Sequence, residues 1–139
     1  MFPLFELWYI IYIMKTVLIV DDSRIMRNIV KNYFSDLKIE CRYIEAADGK
    51  EALEQMQCYP VDLVLLDWNM PKLSGIDFLK AVRAIGKYSK LPIIMVTSEA
   101  AKYNVIEALK TGATDYIIKP IHGKMFTEKI ASIFKGSKD

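Results

Sequence analysis

Residues 61–75 read VDLVLLDWNMPKLSG, and the fold turns on how this stretch is read. Leu63 to Leu66 form an unbroken apolar run that drives into a carboxylate, Asp67. A loop containing Pro71 follows, then Gly75 and a new helical pattern. An apolar run this short fits a strand buried on both faces of a parallel sheet. The carboxylate then stands at the strand's C-terminal end, where open α/β sheets keep their ligand sites.

Outward from that strand, the same alternation recurs in both directions. Residues 16–20 predict a first strand ending in Asp21-Asp22. A helix over 24–34 follows, capped by Ser23, with Ile25, Met26, Ile29, Val30, Tyr33 and Phe34 at helical spacing. A second strand is expected over 42–46. Asp48 and Glu51 then open a second helix as a capping box, with Ala52, Leu53 and Met56 inward. After the third strand (61–66), Ser74 begins a helix with Ile76, Leu79 and Val82 inward, ending near Gly86. Residues 91–96 form the fourth strand, 100–109 the fourth helix and 115–118 the fifth strand. A last helix over 124–134 turns Met125, Ile130 and Ile133 inward. Five βα units with short connections imply a parallel sheet covered on both faces.

The 139 residues, 53% of them hydrophobic, are enough for one core and too few for two. With 19 basic and 17 acidic side chains the net charge is +2, which gives no electrostatic case for nucleic acid or an anionic membrane. Cys41 and Cys58 lack metal-site spacing and read as free buried thiols of a reducing cytoplasm. Residues 1–13 (MFPLFELWYIIYI) are nearly all apolar, without the basic start of a secretory signal and too few to span a bilayer. They are read as an extension from an upstream start, with an apolar arm that makes a dimer as the alternative; otherwise a monomer is expected. Residues 14–139 are then the working domain.

The polar residues beyond the strand ends fall on one rim: Asp21 and Asp22 after the first strand, Asp67 after the third, Thr97 after the fourth and Lys119 after the fifth. Crowded carboxylates repel and raise a pKa. A hard divalent cation relieves this, and a few carboxylates with waters and a phosphate oxygen suit Mg²⁺. An ammonium and a hydroxyl on the same rim can hold a phosphoryl group, and an Asp carboxylate is a competent phosphoryl acceptor.

On these residues the chain from Met14 onward resembles the receiver domain of bacterial two-component response regulators, most of all its single-domain, CheY-like chemotaxis type. The carriers are VDD at 20–22, AADGKEAL at 46–53, DWNMPKLSG at 67–75, MVTSEA at 95–100 and GATDYIIKP at 112–120. The resemblance implies a doubly wound, flavodoxin-like sheet of order 2-1-3-4-5 with five flanking helices. It implies that Asp67 accepts phosphoryl from a sensor histidine kinase. Asp22 and Asp67 would hold Mg²⁺ with the backbone carbonyl of Asn69, and Asp21 would hold a metal water. Lys119 would pair with Asp67 and then with the phosphoryl oxygens. Thr97, beside Ser98, would turn to hydrogen-bond the phosphoryl group, and Tyr116 would rotate inward. Lys119-Pro120 would be a cis peptide, and Asn69 and Glu99 would control access of the hydrolytic water. A surface including Lys102, Tyr103, Ile106, Tyr116 and Lys129 would dock a separate partner, either the flagellar motor switch or a histidine phosphotransferase.

The departures from the pattern bear on that partner. Ile121 stands where chemotaxis-type relatives usually carry Phe, Ser98 where they often carry Ala or Thr, and the loop after Asp22 is read as one residue shorter. Plainer readings stand beside the sharper ones: Asp21, Asp22 and Thr97 as helix caps, Asp67 as a turn residue, Lys119 as solvated and Tyr116 as strand packing. His122 is expected to be exposed and Trp68 to form a partly exposed wall of the site. Two other classes fit less well. A haloacid-dehalogenase-type phosphatase needs a second Asp where Asn69 stands. A flavin binder needs a phosphate loop where Asp21-Asp22 stand.

Overall fold

The structure, a computed structural model, describes residues 14–36, 40–99 and 102–136. The apolar extension 1–13 with its dimer alternative, and the start of the fourth helix at Ala100, lie outside the described residues. The strands are β1 (Lys15–Val20), β2 (Cys41–Ala46), β3 (Leu63–Leu66), β4 (Ile93–Thr97) and β5 (Asp115–Ile118). They form one parallel sheet in the order β2-β1-β3-β4-β5. The helices are α1 (Arg24–Asp36), α2 (Gly49–Cys58), α3 (Gly75–Arg83), α4 (Lys102–Thr111) and α5 (Gly123–Gly136), with a 3₁₀ turn at Gly86–Tyr88.

Strand side chains alternate between two apolar layers, as a sheet covered on both faces requires. Leu18, Val20, Val64, Leu66, Ile93 and Met95 pack with Ala52, Met56, Phe78, Leu79, Val82 and Ala108 of α2, α3 and α4. Val17, Ile19, Leu63, Leu65, Ile94, Val96 and Ile117 pack with Val30 and Phe34 of α1 and Phe126, Ile130 and Phe134 of α5. Phe34 and Phe126 meet edge to face at 5.4 Å, and each buries a side chain worth about 2–3 kcal/mol.

Several sequence expectations need correction here. Ile25 (73% exposed) and Ile29 (37%) face outward, so only Val30 and Phe34 of α1 are fully buried. The cause is polar. Arg27 and Lys31 reach Glu45 on β2 at 2.9 and 2.8 Å, and Arg27 also donates to the Asp21 carbonyl at 2.6 Å. Those contacts fix the helix rotation and hold the Glu45 carboxyl below its ordinary pKa, first through the Lys31 hydrogen bond. On α5 the inward stripe is Phe126, Ile130 and Phe134, spaced by four, and Met125 is exposed. Helix α3 stops at Arg83 and a 3₁₀ turn carries the chain onward. Thr97 belongs to β4 itself and is fully buried. Cys58 is exposed, whereas Cys41 is buried and its thiol is pushed up to about 11, mainly by burial.

The helix starts follow their capping residues. Ser23 Oγ accepts from Met26 N–H at 3.2 Å, and Ser74 Oγ from Asp77 N–H at 3.3 Å. Asp48 accepts from Glu51 N–H at 2.8 Å, while the Glu51 carboxylate accepts from Ala47 N–H at 3.1 Å, one residue earlier than the usual box. The Glu51 N–H holds the Asp48 carboxyl below its ordinary pKa. Asp48→Ala should therefore lower stability by about 1 kcal/mol at neutral pH. The depressed pKa means the carboxylate's contribution is lost as pH falls through its folded value, so the gap between wild type and variant closes in acid. Urea midpoints at pH 7 and pH 3 check both halves.

The lower ends of the helices are tied together by Arg83. Its Nε donates to the Gly112 carbonyl at 2.9 Å and its Nη1 to the Tyr88 carbonyl at 2.7 Å. Gly112 itself sits at φ +125°, a left-handed conformation that glycine tolerates and that ends α4.

Candidate functional site

The rim forms because strand pairing continues one step past the strand ends. Asp21 N–H donates to the Ala46 carbonyl at 3.1 Å, Asp67 N–H to the Val20 carbonyl at 3.0 Å, and Lys119 N–H to the Thr97 carbonyl at 2.9 Å. These bonds set the acidic residues and the lysine side by side. One oxygen from each of Asp21, Asp22 and Asp67 lies within 4.8 Å of the others, with Asp21 and Asp67 buried and Asp22 exposed. Lys119 leans more closely on Asp21 than the sequence suggests: its Nζ is 2.9 Å from Asp21 Oδ2 and 3.6 Å from Asp67 Oδ2. The second Asp21 oxygen accepts from Ser23 N–H at 2.8 Å. The Lys119–Pro120 peptide is cis.

Burial pushes the Asp67 carboxyl above its ordinary pKa. Lys119 pulls it down, the Asp21 charge pushes it up, and a Thr97 hydrogen bond pulls it down, with burial prevailing. A site that disfavours its own anion gains from a cation. Three hard carboxylate oxygens held this close make a donor set that fits Mg²⁺.

The loop from Asp67 to Gly75 is tightly folded. Lys72 takes φ +69° in a γ-turn closed by Leu73 N–H to the Pro71 carbonyl at 2.7 Å. Gly75 N–H returns to the Trp68 carbonyl at 2.8 Å, which presses Gly75 against the Asp67 backbone. Trp68 is half-buried beside Asp67.

Across the rim, Asn69 Nδ2 donates to Glu99 Oε1 at 2.7 Å, and Asn104 Nδ2 on α4 donates to Glu99 Oε2 at 3.1 Å. Glu99 N–H donates to Thr97 Oγ1 at 3.3 Å. The Tyr116 hydroxyl donates to the Glu99 backbone carbonyl. Tyr116 is buried, at 7% exposure. Burial, with the Glu99 and Asp67 charges, pushes the Tyr116 hydroxyl up to about 12. Ser98 and His122 are exposed. Lys129 is held by Asp115 at 2.7 Å. Lys102, Tyr103 (71% exposed) and Ile106 (42%) face outward from α4. Asn104 and the close approach of Gly75 are site features the sequence reading did not single out. An amide at a helix position four before the buried Ala108, where an apolar residue is due, is the signal that marks Asn104.

A groove of about 620 Å³ lies at the other end of the sheet, between residues 56–61 and 87–91, and no carboxylate lines it.

Comparison with known proteins agrees with this geometry. The response regulator receiver domain family matches residues 17–131, and the chain belongs to that family. It is 43% identical over 119 residues to the chemotaxis protein CheY of Pseudomonas aeruginosa, covering 86% of this chain and 95% of that one. It is also 43% identical over 123 residues to CheY1 of Helicobacter pylori, covering 88% and 98%. Among solved structures, Vibrio cholerae CheY4 superposes with a TM-score of 0.78 at 34% identity, covering 86% and 98%. The receiver domain of the Francisella response regulator 1452 gives 0.78 at 30%, covering 88% and 98%. The family is a signalling domain rather than a conventional enzyme. Membership implies a histidine kinase as phosphodonor and a downstream target. Among the described residues no helix is long and apolar enough to cross a membrane.

Proposed function

We propose that this chain is a cytoplasmic response regulator receiver that takes a phosphoryl group on Asp67 and presents its state to a separate protein through α4, β5 and α5. The observation that carries the reading is the meeting of a buried Asp67 with Lys119 at 3.6 Å and with Asp21 and Asp22 within 4.8 Å.

An Asp67 oxygen attacks the phosphorus of a kinase phosphohistidine. The new O–P bond forms as the N–P bond breaks, and the imidazole nitrogen leaves with the electron pair and is then protonated by solvent. Lys119 follows the charge from the carboxylates onto the phosphoryl oxygens, and the Thr97 hydroxyl donates to one of them. Asp22, Asp67 and the Asn69 carbonyl, with Asp21, would hold Mg²⁺, whose positive charge would offset the repulsion between carboxylates and the incoming phosphoryl group. Hydrolysis reverses the state: water attacks phosphorus, the bond to Asp67 breaks, and the carboxylate and inorganic phosphate are regenerated. Asn69 and Glu99 flank the approach of that water.

Tyr103 and Ile106, with Lys102 beside them, are the exposed part of the expected docking face, and Leu109 (46%) and Ile118 (39%) extend it. The relatives named as chemotaxis proteins favour a flagellar motor switch component as the reader. The test is incubation with acetyl phosphate, or with beryllofluoride, in the presence and absence of Mg²⁺, following intact mass and Trp68 fluorescence. One added phosphoryl mass and an Mg²⁺-dependent fluorescence change are expected. Absence of both ends the reading. Beryllofluoride-dependent capture of a motor-switch protein tests the partner, and capture of a histidine phosphotransferase instead would reassign it.

A further inference from the structure

Asn104 is a buried amide on a helix, 7% exposed, at a position that α4 turns toward the core. An asparagine there is costly. It is a mediocre helix former, and burying an amide requires partners that an alanine would not need. Its partner is specific. The Glu99 carboxylate only accepts, so the bond at 3.1 Å identifies the facing Asn104 atom as the NH₂ donor. The other carboxylate oxygen takes the Asn69 amide at 2.7 Å. Glu99 is therefore held at both ends, by the loop after Asp67 on one side and by α4 on the other. With each oxygen occupied by an amide, the side chain is a fixed bar across the rim.

We propose that Asn104 is a positioning residue for phosphoryl lifetime: by fixing Glu99 Oε2 it holds the Asn69–Glu99 bridge in place and limits how water reaches the phosphorus on Asp67. This rests on the phosphoacceptor reading of Asp67 and extends it to a residue that touches neither phosphoryl group nor metal. Losing the Asn104 donor frees Glu99 to rotate out to solvent, since Glu99 is only partly buried and long enough to do so. The Asn69 amide then loses its fixed acceptor and the approach to Asp67 widens. The same bonds leave the Tyr116 and Thr97 contacts to the Glu99 backbone intact, so the effect falls on hydrolysis through the side chain.

The test loads wild type, Asn104→Ala and Asn104→Asp with acetyl phosphate and Mg²⁺, removes the donor by rapid desalting, and follows decay of the phosphorylated mass. Asn104→Ala should shorten the lifetime about three- to tenfold, the rate equivalent of one hydrogen bond's net worth. Asn104→Asp, which keeps the shape but sets a second carboxylate against Glu99, should shorten it at least as much and serves if the alanine variant folds poorly. In a Glu99→Ala background the Asn104 substitutions should have no further effect, because the group they act through is gone. A packing role alone would lower the urea midpoint and leave the lifetime unchanged. An unchanged lifetime, or the same shortening in the Glu99→Ala background, overturns the proposal. A wild type that takes no phosphoryl group overturns the phosphoacceptor reading first, and this inference with it.

Discussion

Asp67→Ala is expected to take up no phosphoryl group from acetyl phosphate under conditions that load the wild type, with initial incorporation down by about 10²-fold or more. The neighbours do not substitute for it. Asp21 has one oxygen against Lys119 at 2.9 Å and the other against Ser23 N–H at 2.8 Å, so its carboxylate is already engaged. Asp22 is exposed, and an acceptor in water has neither the fixed approach nor the converging ammonium and hydroxyl. Intact mass after loading, in wild type and variant, is the measurement. Incorporation into the variant at the wild-type rate would move the acceptor elsewhere.

The isosteric variant Asp67→Asn should separate function from stability. The Asp67 carboxyl is raised above its ordinary pKa, chiefly by burial, so the folded state disfavours the anion relative to the unfolded chain. A raised carboxyl pKa means that stability falls as pH rises through the interval between the unfolded and folded values. In the presence of EDTA at pH 7, Asp67→Asn should therefore unfold at a higher urea concentration than wild type while taking no phosphoryl group. The advantage should shrink below the ordinary Asp range, where both side chains are neutral. A lower midpoint for Asp67→Asn at pH 7 would show that the Lys119 attraction outweighs burial.

The second large effect is expected at Gly75. A Cβ there would lie 2.0 Å from the Asp67 carbonyl oxygen and 2.9 Å from Asp67 C and Trp68 Cα, all backbone atoms that cannot swing aside. Either α3 retreats from the sheet or the Asp67 peptide shifts. Gly75→Ala should cost about 3 kcal/mol or more, lowering Tm by about 10 °C. It should also slow phosphoryl uptake, because the displaced peptide carries Asp67, the proposed acceptor. Gly86→Ala is the control, since nothing lies within 4 Å of a Cβ at Gly86 and its Tm should stay near that of wild type. A Gly75→Ala protein with wild-type Tm and loading would refute the close approach.

These sites differ in how visible they are from the sequence. Strand positions and rim residues are legible because both follow from local pattern: short apolar runs, each ending in a polar residue, map directly onto a parallel sheet. The outward turn of Ile25 and Ile29 is not legible, because the rotation of α1 is decided by Arg27 and Lys31 reaching Glu45 on another element. Apolar periodicity shows a broad stripe, and which edge of it is buried depends on that tertiary contact. The expected inward turn of Met125 fails in the same way: Phe126, one residue or about 100° of rotation further on, takes the buried place. Gly75 lies inside a quoted motif, yet its reason for being glycine is a contact across the loop with Asp67. Asn104 escapes a reading that searches helices for apolar residues. The preference of Lys119 for Asp21 is a matter of 0.7 Å between 2.9 and 3.6 Å, which no pattern encodes.

The clamp that Arg83 makes on the Gly112 and Tyr88 carbonyls has a mechanical meaning for α4. It acts as a fulcrum at the helix's lower end, and the helix is a lever of 10 residues, or about 15 Å. A tilt of about 10° about that fulcrum carries the upper end roughly 2–3 Å, comparable to the full length of a hydrogen bond. Asn104 sits in the first turn, near the end with the longest travel, and Tyr103 beside it is the most exposed aromatic on the outer face. A tilt of that size would stretch the Asn104–Glu99 bond at the upper end and leave the Arg83 contacts at the lower end in place.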